Sequence, residues 1–558
     1  MAVLLLYFIF LLAVIIPTGL MLVKLVRMTN VSFVDIIWCG VATISIMAGI
    51  WSLFSGLDFW FVGLVVLLSS ISVFVVQSEI RSRFTDVQKN ISGWTFSKWI
   101  WSIIVILLVL ATGTLSGYVL DNDSYYIQTI KWLDEYGLVY GIANWHLFLA
   151  QQSGFHILEA GLNLEFLNLN LNDLGSFLTL VMMLWSLVPN QDEKTLVQKA
   201  FRNFLAIIMP LLLLLGTAPS PDVPVILLSY YIVYKFLFLP HDWKNIFMIS
   251  LLTALACYFK ITMVFLGLFP LFMILKLEEH KWKSIVHLFL IGLVFGGLFL
   301  VKNSIASGYP LFPLTFISWN VDWLVPMEML QFFTDATMAQ AYGVSFYELN
   351  GLNISQRLLL WFNHAGMEGW LNKGLLLVIV ACVAGAIYHF RKPRLAAVFW
   401  VFIFFAVALA ISSPQARFFL PLAIPAAIAL CIYSFKSLRK YSLVIARVGI
   451  ISSALLLVLP SIISSTTDNQ RMKNVPKFEL ANLLVPAQKS RYNSAFAKAR
   501  INNINYYNPT GDDFFYGSFD VPLPAAQSEY LEYFQTNYFA SPEYRGDSPA
   551  SGFRAVKN

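Results

Sequence analysis

Two carboxylates, Asp121 and Asp123, stand where a nearly unbroken apolar run, Trp99 to Leu120, gives way to "DNDSYYIQTIKWL". An ionisable group at a helix centre in hydrocarbon costs about 2.5–3.5 kcal/mol on insertion scales, so polar groups close to that depth need a reason. Further along lie Asn144 and His146 in "GIANWH", Asp222 in "TAPSPD", Lys260 inside "LLTALACYFKITMVFLGLF", Tyr309 in "SGYP" and Arg417 after "SSPQA". As a set, these residue types suit a reaction on a lipid-linked phosphate. A carboxylate can take the proton of an attacking hydroxyl. Cations can neutralise the charge that grows on a departing phosphate. Apolar helices around them would supply a groove for a long prenyl chain.

Each residue also has an ordinary structural reading. Asp121, Asn122, Asp123 and Ser124 are all good N-cap residues for a helix beginning near Tyr125, although no Glu or Gln stands at the capping-box spacing. Asp222 could cap the next helix, and His146 could bond a backbone carbonyl at the interface. Lys302 closes another apolar run, can extend its ammonium to headgroup level, and is assigned no role. Lys260 and Arg417 have apolar residues on both sides, which favours a specific anion.

The elements that must position these groups are transmembrane helices. The 558 residues are 58% hydrophobic and 12% charged, half the charge of a soluble domain. Apolar runs recur to about Pro460, continuous rather than alternating, which excludes a barrel. Spans are predicted near 3–23, 33–53, 60–77, 99–119, 173–189, 203–218, 223–239, 245–259, 261–276, 284–303, 373–389, 395–413, 418–435 and 442–464, about 14 in all. The weakest are the pairs broken by "APSPD" and by Lys260. The N-terminal run has no basic flank and reads as a retained first span.

Lys and Arg concentrate on every second loop: Lys24 and Arg27; Arg81, Arg83, Lys89 and Lys98; Lys194, Lys199 and Arg202; Lys276, Lys281 and Lys283; Arg391, Lys392 and Arg394; Lys436, Arg439 and Lys440. That side is predicted to be cytoplasmic. The N-terminus, 120–172, "APSPD", 304–372, "SPQAR" and the tail then share the outside face. The chain divides into N-terminal helices (1–119), a first outside loop (120–172), a bundle (173–303), a second outside loop with interfacial aromatics (304–372), C-terminal helices (373–464) and an outside region of mixed structure (465–558). The tail reads as a small domain or a wrap over the loops. The net charge of +6 comes without any Lys/Arg block that would suit nucleic acid. The four cysteines lie in apolar runs with no pairing pattern and read as small hydrophobes.

The segments "DNDSYYIQTIKWLDEYGLVYGIANWH", "APSPDVPVILL", "FKITMVFLGLFPL" and "SGYPLFPL" resemble the GT-C superfamily of integral-membrane glycosyltransferases. They are most similar to a bacterial family of such proteins associated with capsule and surface-polysaccharide loci. The resemblance covers most of 110–425, and more weakly "YRGDSPASGFR". The spans before the acidic loop depart from the simplest plan of that superfamily, in which the loop follows the first span.

The resemblance implies transfer of a sugar from a polyprenyl-phosphate donor to a glycan or lipid-linked acceptor, with inversion, at the outer face of a bacterial inner membrane. It places the general base at Asp121, with Asp123 assisting or binding metal. It puts Asn144 and His146 in the acceptor-side loop, marks Asp222 as a second acid and Lys260 as a phosphate contact, and sets Arg417 near the donor phosphate. Some members use Mg or Mn and others none. Two other readings stand beside it. A polysaccharide polymerase or ligase would lean on Arg417 and Lys260. A flippase or transporter would place charges at mid-membrane in paired halves.

Overall fold

The computed structural model describes residues 1–29, 31–188, 195–467, 469–492, 495–510 and 514–557; Lys194 of the predicted basic loops lies outside them. The chain is mostly helical, and its long apolar helices make it a multi-pass membrane protein. Every predicted apolar segment coincides with a helix, but the helices are not alike in reach. Among the described residues, eight are long and apolar enough to cross a membrane, and nine if the bent pair Phe59–Val75 and Gln77–Ser92 counts as one span. The rest are shorter. Seventeen residues, as in Trp243–Phe259, reach only about 25 Å, less than a hydrocarbon core of about 30 Å. Eight or nine of the 14 predicted spans thus have a helix of 18 or more apolar residues among the described residues, and the others coincide with shorter or interrupted helices.

The two interruptions that look weakest in sequence are real breaks. "APSPD" separates the segment Leu196–Leu215 from the helix Asp222–Phe238. Lys260 takes an extended conformation, φ −153° and ψ 112°, between the helix Trp243–Phe259 and a 3₁₀ segment, Ile261–Gly267. Both breaks leave polar residues at helix ends, where free backbone groups and side chains can meet.

Asp222–Phe238 is the central helix, buried on all sides from Asp222 to Leu237. It carries Lys235, whose ammonium donates to Asp35 at 2.8 Å, and Tyr231, whose hydroxyl donates to the same carboxylate at 3.0 Å. Asp35 belongs to a capping box with Ser32 at the start of the helix Phe33–Trp51. That helix crosses Ala2–Leu25 so closely that a Cβ on Gly19 would lie 2.0 Å from the Ile36 carbonyl oxygen. A small residue at such a crossing lets the backbones touch. The buried pair thus ties the first two helices to the centre.

A second apolar core sits at one end of the bundle. There the loop after Leu120 packs with the C-terminal region, which contributes two antiparallel hairpins, Phe496–Ile501 with Ile504–Pro509 and Ala540–Tyr544 with Phe553–Lys557, and the helix Ser528–Tyr538. Trp145 stacks on Phe553 with ring centres 5.5 Å apart. Gln128 donates to the carbonyls of Ser518 and Val521 at 2.6 and 2.8 Å. Arg545 pairs with Asp322 of the second loop at 2.8 Å. The tail packs over both loops. Among the described residues the cysteines are all free; Cys39 and Cys382 are buried and the other two half-buried.

Removing one member of a buried ion pair strands the other, at about 3–5 kcal/mol, whereas an apolar pair of similar volume restores most of the loss. Asp35→Asn is therefore expected to lower the unfolding midpoint of the purified protein sharply, and D35L/K235M to recover much of it. A single variant that melts like wild type would contradict this role.

Candidate functional site

Four helix ends meet beside the loop after Leu120, each delivering one charge. Asp121 stands at the entry to a widened, π-helical turn, Asn122–Tyr126, that runs into the helix Ile127–Tyr136. Turns of this kind recur at functional sites. Asp121 makes no side-chain cap on that turn. Its carboxylate instead accepts from Arg417 Nη1 at 2.7 Å and from the Tyr126 hydroxyl at 3.4 Å. Arg417 opens the helix Ala416–Ser434, Asp222 opens the central helix, and Lys260 ends Trp243–Phe259. Lys260 Nζ donates to Asp222 at 2.5 Å.

The two ion pairs are neighbours. The Phe418 ring lies under both cations, 4.1 Å from Lys260 Nζ and 5.1 Å from the Arg417 guanidinium carbon. Their exposure is graded. The Asp222 side chain is 5% exposed, Asp121 16%, Lys260 18% and Arg417 38%. Asp222 is the buried member, Asp121 and Lys260 are alike in access, and Arg417 is the most open to a ligand. Burial pushes the Tyr126 phenol well above its ordinary value, and the Asp121 carboxylate adds to this, so Tyr126 keeps its proton and can donate it in a hydrogen bond.

Asp123 is not part of this cluster, nor does it cap a helix. Its carboxylate accepts from the Ser490 hydroxyl at 2.7 Å and the Gly517 amide at 3.2 Å, which fastens the C-terminal region to the loop. The two aspartates thus engage different partners. Among the described residues, no group of three or more His, Cys, Asp or Glu side chains is placed to hold a metal ion.

Three other sequence candidates also hold structure together. Asn144 Nδ2 donates to the Trp323 carbonyl at 2.9 Å. The Tyr309 hydroxyl donates to the Val325 carbonyl at 3.1 Å. His146 is stacked on Tyr530 with ring centres 4.2 Å apart, in the core shared with the C-terminal region; burial lowers its imidazole to about 3. Asn144 joins the first loop to the second and His146 joins it to the tail, whereas Tyr309 braces the second loop on itself.

The histidine beside the cluster is His156. Its ring lies against Tyr126, centres 4.8 Å apart. A polar residue inside "SGFHILEA" was its only signal in the sequence. Ser220, from "APSPD", places its Oγ 3.3 Å from the Asp222 amide, which it accepts from.

The fold and this constellation define a multi-pass helical membrane protein whose charges gather at interrupted helix ends. Residues 1–424 match the family described as a domain of unknown function, DUF8201, and the chain belongs to that family. The match includes Asp121, Asp222, Lys260 and Arg417, and ends before the residues that fasten Asp123. No curated protein and no solved structure matches the chain.

Burial raises the Asp123 carboxyl from 3.8 to about 6. A group whose pKa is higher in the folded state adds stability at low pH and loses it as pH rises through the folded value. Docking of the C-terminal region is therefore expected to tighten as pH falls from about 7 toward 4. Limited proteolysis of the tail across that range checks this: Asp123→Asn should flatten the profile. An unchanged profile in that variant would contradict the assignment.

Proposed function

We propose that this protein is a GT-C-type glycosyltransferase of the bacterial inner membrane. It moves a sugar from a polyprenyl-phosphate donor to a hydroxyl of a glycan or lipid-linked acceptor on the outer face, with inversion. One observation carries the reading. The partly exposed pair of Asp121 and Arg417 sets a carboxylate and a guanidinium 2.7 Å apart, at the end of an apolar bundle where a lipid chain and a polar glycan could both reach.

In this reading Asp121 accepts the acceptor's hydroxyl proton. The acceptor oxygen bonds to the anomeric carbon as the bond from that carbon to the phosphate oxygen breaks, and the phosphate leaves with the electron pair. Attack from the face opposite the phosphate inverts the centre. Arg417 has five N–H donors; one goes to Asp121 and another, Nε, to Gln415 at 3.3 Å. The remaining donors can address the donor's phosphate while Asp121 stays in place. Lys260 and Asp222 keep Phe418, and through it the start of the arginine's helix, in position. Tyr126 steadies the second flank of Asp121.

Removing a positioned general base costs about 10²–10⁴-fold in rate. Asp121→Asn should lower sugar transfer by that factor in membranes that contain normal amounts of inserted protein, with radiolabelled polyprenyl-phosphate sugar as donor. Transfer at the wild-type rate would sink the assignment. A ranking with Arg417→Lys severely impaired and Asp121→Asn silent would favour a polymerase or ligase instead.

A further inference from the structure

The bend between Phe59–Val75 and Gln77–Ser92 is 83°. Gln77–Ser92 has 16 residues, and at that angle its length of about 24 Å adds only about 3 Å along the axis of the preceding helix. It therefore does not complete the crossing that Phe59–Val75 begins. Only Gly93, Trp94 and Thr95 separate it from Phe96, where the next apolar helix, Phe96–Gly113, starts. Each end thus joins a membrane helix, which holds Gln77–Ser92 at the level where those helices meet the membrane surface. Arg81, Arg83, Lys89 and Lys98 mark that surface as the cytoplasmic one.

The helix is amphipathic. Ile80, Phe84, Val87 and Ile91 recur at i, i+4, i+7 and i+11 and form one stripe. None of its residues is buried, and Phe84 is 70% exposed. Ile80, at the start of the stripe, packs against the main apolar core of the bundle. The stripe therefore looks back toward the membrane, and its later members run out past the bundle's edge. By the helical repeat, Arg81 and Arg83 fall on the two flanks of the stripe, with Ser82 and Lys89 opposite it.

Both ends are anchored. At the bend, Lys24 of the first helix donates to the Val75 carbonyl at 2.7 Å and pairs with Glu79 at 2.8 Å. At the far end the rings of Trp94 and Trp99 lie 5.0 Å apart, and tryptophan favours headgroup level.

We propose that Gln77–Ser92 is an in-plane membrane helix that binds phospholipid of the cytoplasmic leaflet. Its stripe enters the acyl boundary, and Arg81 and Arg83 extend to the lipid phosphates. An apolar face with a cation on each flank complements a surface that is greasy beneath and anionic at its rim. Through Lys24 and Glu79, the helix also sets the depth of the first helix against the membrane. This inference is independent of the transfer reading above.

Site-directed spin labelling of the full chain tests it. Ser82→Cys, Phe84→Cys, Val87→Cys and Lys89→Cys are labelled in nanodiscs of phosphatidylethanolamine and phosphatidylglycerol, with wild type supplying the background from the four native cysteines. Labels at 84 and 87 should collide with oxygen several-fold more than with a water-soluble nickel chelate. Labels at 82 and 89 should show the reverse, and Arg81→Cys and Arg83→Cys should fall between. Equal access of the nickel chelate to 82, 84, 87 and 89 would overturn the proposal by leaving the stripe in water. Labels at 84 and 87 shielded from both reagents would also overturn it, because protein, a second copy included, would then cover the stripe.

Discussion

The ion pair between Asp121 and Arg417 can exist only because four helices stop at the same level. A charge in the middle of an apolar helix has nowhere to go, whereas one at a helix end can turn toward another. The chain reaches this arrangement by breaking its own helices: "APSPD" frees Asp222, and the extended residue Lys260 interrupts what would be one long span. The central helix is buried along nearly its whole length, so its start is fixed in space. Lys260 is drawn to Asp222, and Phe418 lies against both cations. The two pairs meet at that ring.

Burial and charge divide the labour along the row. Asp222 is the buried member, and Lys260 is spent on it and on the Phe418 ring. Asp121 and Arg417 are partly exposed, Arg417 the more so, and form the pair suited to a reacting group. Arg417 keeps donors beyond those it gives to Asp121 and Gln415, and Tyr126 holds the other flank of Asp121.

Much of this is visible in the sequence, and the limits are physical. Apolar runs locate the helices because lipid and packing both demand them, and the breaks at "APSPD" and Lys260 are visible as polar residues in such runs. Which apolar runs form one long helix and which are interrupted is less visible, since hydropathy does not report where backbone bonding fails. The aspartates at 121 and 123 look equivalent because both are good capping residues. A π-helical turn removes the cap, and contacts with Ser490 and Gly517, far along the chain, separate their roles. His146 stands out in its loop, yet it belongs to the core beneath the tail. His156 hides in an apolar stretch and lies beside the charges. Lys302 looks like a surface-seeking lysine until the burial of its side chain is known.

The most direct test of the account is a cryo-EM structure of the full chain with a polyprenyl-phosphate sugar analogue bound. The phosphate should lie within hydrogen-bond distance of the Arg417 guanidinium, with the anomeric carbon facing Asp121. A phosphate bound away from Arg417, or a sugar whose anomeric carbon is out of reach of Asp121, would contradict it.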